Sequence, residues 1–198
     1  MGHSLGGIYS IAYDNTFEKE VLGFIGLDNT PSDFDNFVGS TINNDLIPIF
    51  KIFDQYHLWG LLPESQKKAL FNIETEQQYQ NYSDEELEIL MNINNYRFSN
   101  INLIDESNRS EDIVASTKGK YFHCPLLIFT SVETENAIPE WYTLHENMIK
   151  NNPNKEVIKK SNITSLEETT HGFIHTQKKE IISNDIKNWI NNLISNVI

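Results

Sequence analysis

Short apolar runs occur near both ends of the chain, separated by a long polar stretch. Residues 21–27 form a nearly continuous apolar run that ends in a polar loop. Residues 121–130 contain a second such run, and residues 156–163 form a weaker third one. Continuous apolar runs of this length are typical of strands that are buried on both faces of a parallel sheet.

Stretches with helical spacing of apolar residues alternate with these runs. They lie at about residues 8–15, after Pro139, and from Lys178 to the end of the chain. We expect a polar loop at residues 131–138, between the second strand and the helix that Pro139 begins. The alternation of helices and strands predicts an α/β fold with a parallel sheet.

The stretch between the first two apolar runs has a different character. Residues 32–118 are rich in Asn, Asp, Glu and aromatic residues, and their apolar positions have helical spacing. The segment Ser83-Asp84-Glu85-Glu86 has the pattern of a capping box that begins a helix. We therefore divide the chain into an α/β core, residues 1–31 and 119–198, and a helical insert, residues 32–118.

Composition excludes several classes of partner. The net charge of -13 argues against nucleic acid or an anionic membrane, because both require a basic surface. We identify neither a signal-peptide pattern nor an apolar run long enough to span a bilayer, so we expect no membrane span. A single cysteine, Cys124, excludes an intramolecular disulfide and fits a reducing compartment. These features predict a cytoplasmic protein, and we expect Cys124 to be a small buried hydrophobic residue.

The residues Gly2-His3-Ser4-Leu5-Gly6 form a G-x-S-x-G motif directly before the first predicted helix. This spacing suits a sharp strand-to-helix turn, because glycine on either side of the serine leaves room for neighbouring backbone. Ser4 would stand at the tip of the turn as a nucleophile. The N–H of Leu5, at the positive end of the helix, would donate to an oxyanion. Taken alone, the motif is equally compatible with a glycine-rich turn that has no chemistry.

Together with two later segments, the motif gives the chain a resemblance to the C-terminal part of α/β-hydrolases, from the nucleophile elbow onward. The segments are the strand Pro125–Phe129 with Ala137-Ile138-Pro139 after it, and Thr170–His175 before the last helix. Their order agrees with the nucleophile, acid and histidine order of the family. The resemblance implies a serine hydrolase of the carboxylesterase kind, acting on an ester or similar acyl bond of a small molecule without a cofactor. It also implies that the insert is a lid.

The resemblance places the general base at His171, on a loop after the last strand. The small residue Gly172 would let this loop approach the elbow. We interpret His175, at the mouth of the following helix, as structural, and His3 as a packing residue within the elbow. No partners are apparent in the sequence for the remaining histidines, which we expect in solvated or core positions: His57, His123 and His145. No histidine pair has a convincing metal-ligand spacing with cysteine or carboxylates, so we expect no metal site.

The resemblance places the acid of the triad in the loop after the second visible strand. Glu135 is our first candidate there, and Glu133 is the alternative. Family members more often carry Asp at this position. Asp28, at the end of the first visible strand, is a third candidate, because some members place the acid there. For Asp28 alone, a loop-capping role is the more ordinary interpretation.

Aromatic residues of the insert form a candidate surface for an acyl or alkyl group, although the core of the lid is their more ordinary role: Phe34, Phe37, Phe50, Phe53, Tyr56 and Trp59. The strands that the family carries before the elbow are not found, nor is the loop that supplies a second oxyanion donor. We therefore expect a truncated hydrolase whose strand at residues 21–27 presents a bare edge. The alternative is a non-catalytic remnant or interaction module that pairs or self-associates through this edge.

Overall fold

The computed structural model has an α/β architecture in the part of the chain that it describes. The chain divides into two compact units, Met1–Phe37 with Asp112–Ile198, and Val38–Glu111. The division of the sequence into core and insert stays a prediction. The residues that the structure describes are 1–34, 47–56, 58–63, 65–66, 82–83, 85–86, 88–89, 93 and 101–195.

A parallel sheet of four strands forms the centre of the first unit. Its strands are β1 (Gly2–His3), β2 (Phe24–Leu27), β3 (Leu126–Ser131) and β4 (Asn162–Leu166), and they are neighbours in the order β1-β2-β3-β4. The predicted α/β class is confirmed. Because the strands are parallel, their carboxyl ends share one edge of the sheet, where ligands bind in folds of this kind.

Helices follow the strands in the first unit. They are α1 (Gly6–Thr16), α5 (Val132–Ala137), α6 (Trp141–Lys150), α7 (Lys155–Lys160), α8 (Ile174–Gln177) and α9 (Lys179–Ser195). In the second unit, and across its boundary at residue 111, the described helices are α2 (Ile47–Gln55), α3 (Ile101–Asn108) and α4 (Ser110–Ala115). Short 3₁₀ turns lie at Glu18–Glu20 and Leu58–Leu61.

The core lies on both faces of the sheet, because alternate side chains of a strand point to opposite sides. Leu126 and Ile128 of β3 pack in a cluster with Ile11 of α1 and Met148 of α6. On the other face, Leu127 and Phe129 of β3 pack with residues of β4, α8 and α9: Leu166, Ile174 and Ile182. All six residues of β3 are buried, as the sequence predicts for a strand covered by helices on both sides.

Two predicted elements are wrong, and capping explains both. Residues 155–160 form α7 and the third predicted strand lies later, at Asn162–Leu166, because Asn154 caps the helix by accepting the N–H of Glu156 at 3.0 Å. The predicted loop at residues 131–138 contains α5. Its cap is Ser131, whose hydroxyl accepts the N–H of Thr134 at 3.3 Å.

The first predicted strand has a neighbour. Gly2 and His3 form β1 and pair with Gly26 and Leu27. The expectation of a bare edge along residues 21–27 is therefore wrong for the carboxyl-terminal half of β2. The outer strand on this side of the sheet is β1.

Part of the predicted insert is described. Its capping box is confirmed, because Ser83 N–H and Oγ both bond to Glu86 Oε2, and Glu86 N–H reaches Ser83 Oγ at 3.3 Å. Phe34 belongs to the first unit and packs edge-on against Trp141, with ring centroids 5.5 Å apart. Phe37 and the side chains of Phe50 and Trp59 lie outside the described residues.

Among the helices in the described ranges, none combines the length and apolar character needed to cross a membrane.

Candidate active site

The turn between β1 and α1 places Ser4 in an unusual backbone conformation. The φ angle of Ser4 is 51°, in the left-handed region that a serine seldom occupies. Such strained positions persist where the surrounding structure holds them, and they are concentrated at functional sites. The turn is sharp, as predicted from the G-x-S-x-G motif.

Glycine is required in this turn at Gly2 and Gly7, and not at Gly2 and Gly6 as the motif predicts. A Cβ atom on Gly2 would lie 2.7 Å from the carbonyl oxygen of Gly6. One on Gly7 would lie within 2.8 Å of the Asn29 side chain and of the Thr30 carbonyl oxygen. A Cβ on Gly6 would meet nothing within 4 Å. The elbow is therefore packed against itself and against the loop that follows β2.

The N-terminus of α1 presents unneutralised N–H groups beside Ser4. The helix has no side-chain cap and no acidic residue in its first turn. The carbonyl of Ser4 accepts hydrogen bonds from Gly7 and from Thr30, at 3.1 and 2.8 Å. Within the described part of the chain, the N–H of Leu5 has no acceptor. This end of the helix can therefore stabilise a negative charge next to the serine.

The imidazole of His171 is bound to a buried carboxylate. His171 lies in the loop between β4 and α8, and its Nδ1 is 2.8 Å from Oδ2 of Asp28. Asp28 directly follows β2 and is fully buried, with a φ angle of 45°. The imidazole itself is partly open to solvent, because its side chain is 38% exposed. The arrangement leaves Nε2 of His171 as the nitrogen that can exchange a proton with a substrate or a nucleophile.

Asp28 is held by donors from three further elements, β3, α5 and α6. Ser131 donates its hydroxyl to Oδ2 at 2.6 Å and its N–H to Oδ1 at 3.0 Å. The hydroxyl of Thr134 donates to Oδ2 at 2.5 Å, and the indole N–H of Trp141 donates to Oδ1 at 2.8 Å. Burial alone would raise the pKa of Asp28. The hydrogen bonds, first of all that from His171, outweigh burial and hold the pKa well below its ordinary range.

The structure places Asp28, and not Glu135, against the imidazole of His171. Oε1 of Glu135 accepts the hydroxyl of Thr130 at 2.5 Å. Glu133, the alternative acid, accepts the backbone N–H of His171 at 2.7 Å. Both glutamates lie in helix α5 where the sequence predicts a loop, and this difference explains why neither is hydrogen-bonded to the imidazole. The geometry favours the third candidate.

His3 also contacts His171. Its Nε2 donates to the carbonyl oxygen of His171 at 2.7 Å, and the two rings lie with their centroids 4.8 Å apart. Desolvation of the His3 ring lowers its pKa. His3 therefore interacts with the catalytic candidate itself, which is more than the packing role expected of it.

Ser4 is connected to the His171–Asp28 pair by hydrogen bonds of its own backbone and of the residue before it. Its carbonyl binds Thr30, two residues after Asp28, and the residue before it, His3, binds His171. Among the hydrogen bonds of the described residues, none joins Ser4 Oγ to His171. Catalytic hydrogen bonds often tighten only when substrate is bound, so reactivity decides the role of Ser4.

Comparison with known proteins adds little to this geometry. No family model and no curated protein matches the chain. A solved structure named as a marine microorganism esterase is similar over 94% of this chain and 67% of that one, with 14% identity and a TM-score of 0.38. A likeness this weak carries no argument. The site has to be judged on its own residues.

The remaining histidine and cysteine candidates have other environments. His123 has a partner that the sequence did not reveal, since Asp14 Oδ2 lies 3.0 Å from its Nδ1. His145 is fully buried, with Nε2 2.7 Å from the Asn29 carbonyl, and burial lowers its pKa. Cys124 is buried, as expected.

His175 and Gly172 lie close to His171 in the chain. His175 is exposed in α8, and His57 lies outside the described residues. A Cβ on Gly172 would meet open space, so close packing does not require a small residue there. Across the described ranges, no three His, Cys, Asp or Glu residues are grouped to hold a metal ion.

Three residues of the site were missed by sequence reasoning. Ser131, Thr134 and Trp141 all donate to Asp28, yet none belongs to a recognisable motif. A signal was present, because Asp28 and Ser131 each stand at the carboxyl end of an apolar run. Polar residues at those ends meet at one edge of a parallel sheet.

Proposed function

We propose that the chain is a serine hydrolase that cleaves a carboxylic ester or similar acyl bond. Ser4 is the nucleophile, His171 is the general base and then the general acid, and Asp28 orients His171. The observation that carries the proposal is the fully buried carboxylate of Asp28 on Nδ1 of His171, beside a serine in a strained turn.

The chemistry follows from the two nitrogens of the imidazole. Because Nδ1–H donates to Asp28, Nε2 carries the lone pair that can remove the proton of the Ser4 hydroxyl. Asp28 is ionised at neutral pH, since its pKa is below the ordinary range, and it stabilises the imidazolium that forms. The same imidazolium then returns the proton to the leaving alcohol.

The N–H of Leu5 is the proposed donor to the oxyanion of the tetrahedral intermediate. It belongs to the residue after the nucleophile and stands at the uncapped N-terminus of α1. Loss of a donor at this position typically costs about a hundred- to a thousandfold in rate. The substrate is proposed to be a small acyl compound.

Reaction with a fluorophosphonate tests the proposal directly. The purified chain is incubated with the probe and its intact mass is followed over time. We expect a single adduct that Ser4→Ala abolishes and that His171→Ala slows by about a thousandfold or more. His175→Ala, which removes an exposed neighbouring histidine, is the matched control and should label like the wild type.

A folded chain that is not labelled, or one labelled equally after Ser4→Ala, would contradict the proposal. The non-catalytic alternative, pairing through the β1 edge, would then gain support from a concentration-dependent change in oligomeric state.

A further inference from the structure

His171 is held by side chains on three sides. Glu133 accepts its backbone N–H, His3 donates to its carbonyl, and Asp28 accepts from its imidazole, at 2.7, 2.7 and 2.8 Å. These anchors come from three different places along the sheet edge: β1, the end of β2, and α5 after β3. A loop residue fixed at both backbone groups has little freedom to move its side chain.

We propose that His3 is a positioning residue for His171, holding the base at a fixed place relative to Ser4 by donating its Nε2–H to the His171 carbonyl. The inference rests on the proposed function and adds to it a residue that does not itself touch substrate.

The hydrogen bond from His171 to Asp28 leaves one motion of the imidazole free. A single hydrogen bond to Nδ1 fixes the distance from the imidazole to Asp28, but the ring can still pivot about that bond. Fixing the carbonyl of the same residue limits the pivot, because it holds the backbone from which the ring extends. Small misplacements of a catalytic group cost large factors in rate.

His3 suits this role because it precedes Ser4 directly in the chain. Any shift of the elbow that moves the nucleophile also moves the anchor of its base, so the separation between the two is preserved. The register of β1 on β2 adds to this, since His3 pairs with Leu27, the residue before Asp28. His3 therefore lies in one of two adjacent strands, and the proposed nucleophile and acid directly follow these strands.

The hydrogen bond also fixes the tautomer of His3. The pKa of its ring is lowered, which favours the neutral form with one N–H, and this N–H lies on Nε2 because the His171 carbonyl can only accept. A neutral ring 4.8 Å from His171 does not repel the imidazolium that forms during catalysis. A positively charged residue at position 3 would oppose that step.

The donor and the ring of His3 can be separated by substitution. His3→Phe keeps an aromatic ring of similar size beside His171 but has no N–H to donate. His3→Gln loses the ring and supplies an amide N–H at about the same reach. His3→Leu repeats the first comparison with a smaller side chain, in case phenylalanine prevents folding.

The test measures two properties of each folded variant. One is the rate of fluorophosphonate labelling at Ser4. The other is the downfield proton resonance of the His171 Nδ1–H, assigned by its loss in His171→Ala. We expect His3→Phe and His3→Leu to slow labelling about tenfold and to shift or broaden the resonance. We expect His3→Gln to recover most of the labelling rate and most of the wild-type position and width of the resonance.

Equal behaviour of His3→Phe and the wild type would overturn the proposal. Equal impairment of His3→Phe and His3→Gln would also overturn it, because it would show that an N–H donor at this position does not restore the placement of His171. The resonance does not depend on activity. If the wild type is not labelled, the proposed function fails, while the comparison of resonances still decides whether His3 positions His171.

Discussion

At the scale of single residues, Asp28 determines the candidate site more than any other side chain. Four residues donate five hydrogen bonds to its buried carboxylate. In Asp28→Asn, an NH₂ group replaces one oxygen and faces hydroxyl, indole or imidazole donors. We expect labelling at Ser4 to slow by about 10⁴-fold, because the imidazole loses the partner that fixes its tautomer.

The same substitution should lower the free energy of unfolding by about 1–3 kcal/mol, since buried donors lose their acceptor. Labelling kinetics and urea denaturation measure the two effects. Glu135→Gln is the control, because its amide oxygen can still accept from Thr130, and it should label within a fewfold of the wild type. A larger loss for Glu135→Gln than for Asp28→Asn would return the acid to Glu135.

Asp28 also gives the stability of the fold a pH dependence of known sign. Its pKa in the folded state lies below the value of about 3.9 expected when unfolded, so the unfolded chain binds more protons in acid. The stabilisation is complete above about pH 5 and declines as the pH falls toward the lower, folded pKa. We expect the urea midpoint of the wild type to fall more steeply from pH 5 to pH 3 than that of Asp28→Asn. Asp105→Asn, which removes an exposed carboxylate, should follow the wild type.

The sequence could pair a serine with a histidine but could not choose the carboxylate. Ser4 and His171 were proposed from motifs and their order, and their roles await the labelling experiment. The choice among Asp28, Glu133 and Glu135 depended on whether residues 131–138 form a loop or a helix. The capping hydroxyl of Ser131 decides this, and one serine in a polar stretch is too weak a signal to predict a helix.

At the scale of the elements, the elbow between β1 and α1 depends on two glycines. Gly2→Ala places a Cβ against backbone at 2.7 Å, and Gly7→Ala places one against Asn29 and the Thr30 carbonyl. Neither backbone can move without disturbing the turn or the loop after β2. We expect each substitution to lower the free energy of unfolding by about 1–3 kcal/mol and to slow labelling at Ser4.

Gly6→Ala is the matched control for these two. Its Cβ would meet open space, and alanine favours a helix over glycine by about 0.5–1 kcal/mol. We therefore expect a small gain in the urea midpoint with labelling preserved. If Gly6→Ala lowered the urea midpoint as much as Gly2→Ala, the need for glycine would follow the motif positions and not the packing of the turn.

The elements that the sequence predicts best are the ones with the strongest periodicity. The predicted positions of β3, α1, α6 and α9 agree with the structure, because long apolar patterns require burial on a defined side. The short helices α5 and α7 were missed. Six residues are too few to distinguish helical from strand periodicity, and capping by Ser131 and Asn154 decides the outcome.

At the scale of the whole molecule, Cys124 reports on the integrity of the core. It is 3% exposed and packs with residues of both β3 and α1. Burial raises the pKa of its thiol to about 12, so the reactive thiolate is scarce at neutral pH. We expect iodoacetamide to modify the native chain at least about a thousandfold more slowly than the urea-unfolded chain.

The dependence of this modification on urea should follow the global unfolding transition. Cys124→Ser, which removes the only thiol, should show no modification under either condition. Rapid modification of the native chain would mean that the unit built on β3 opens locally, and the core described above would then be less stable than its burial indicates.

The three anchors of His171 also determine when the site forms during folding. His171 is separated from His3 by 168 positions in the chain and from Asp28 by 143, whereas the turns of each helix join close neighbours. Contacts between distant segments form late, because the chain must first lose the entropy of closing a long loop before it gains those contacts. In refolding from urea, the far-UV circular dichroism signal should therefore return before Ser4 becomes reactive. A preparation with native helical content can still contain chains in which Ser4 and His171, the proposed nucleophile and base, have not come together.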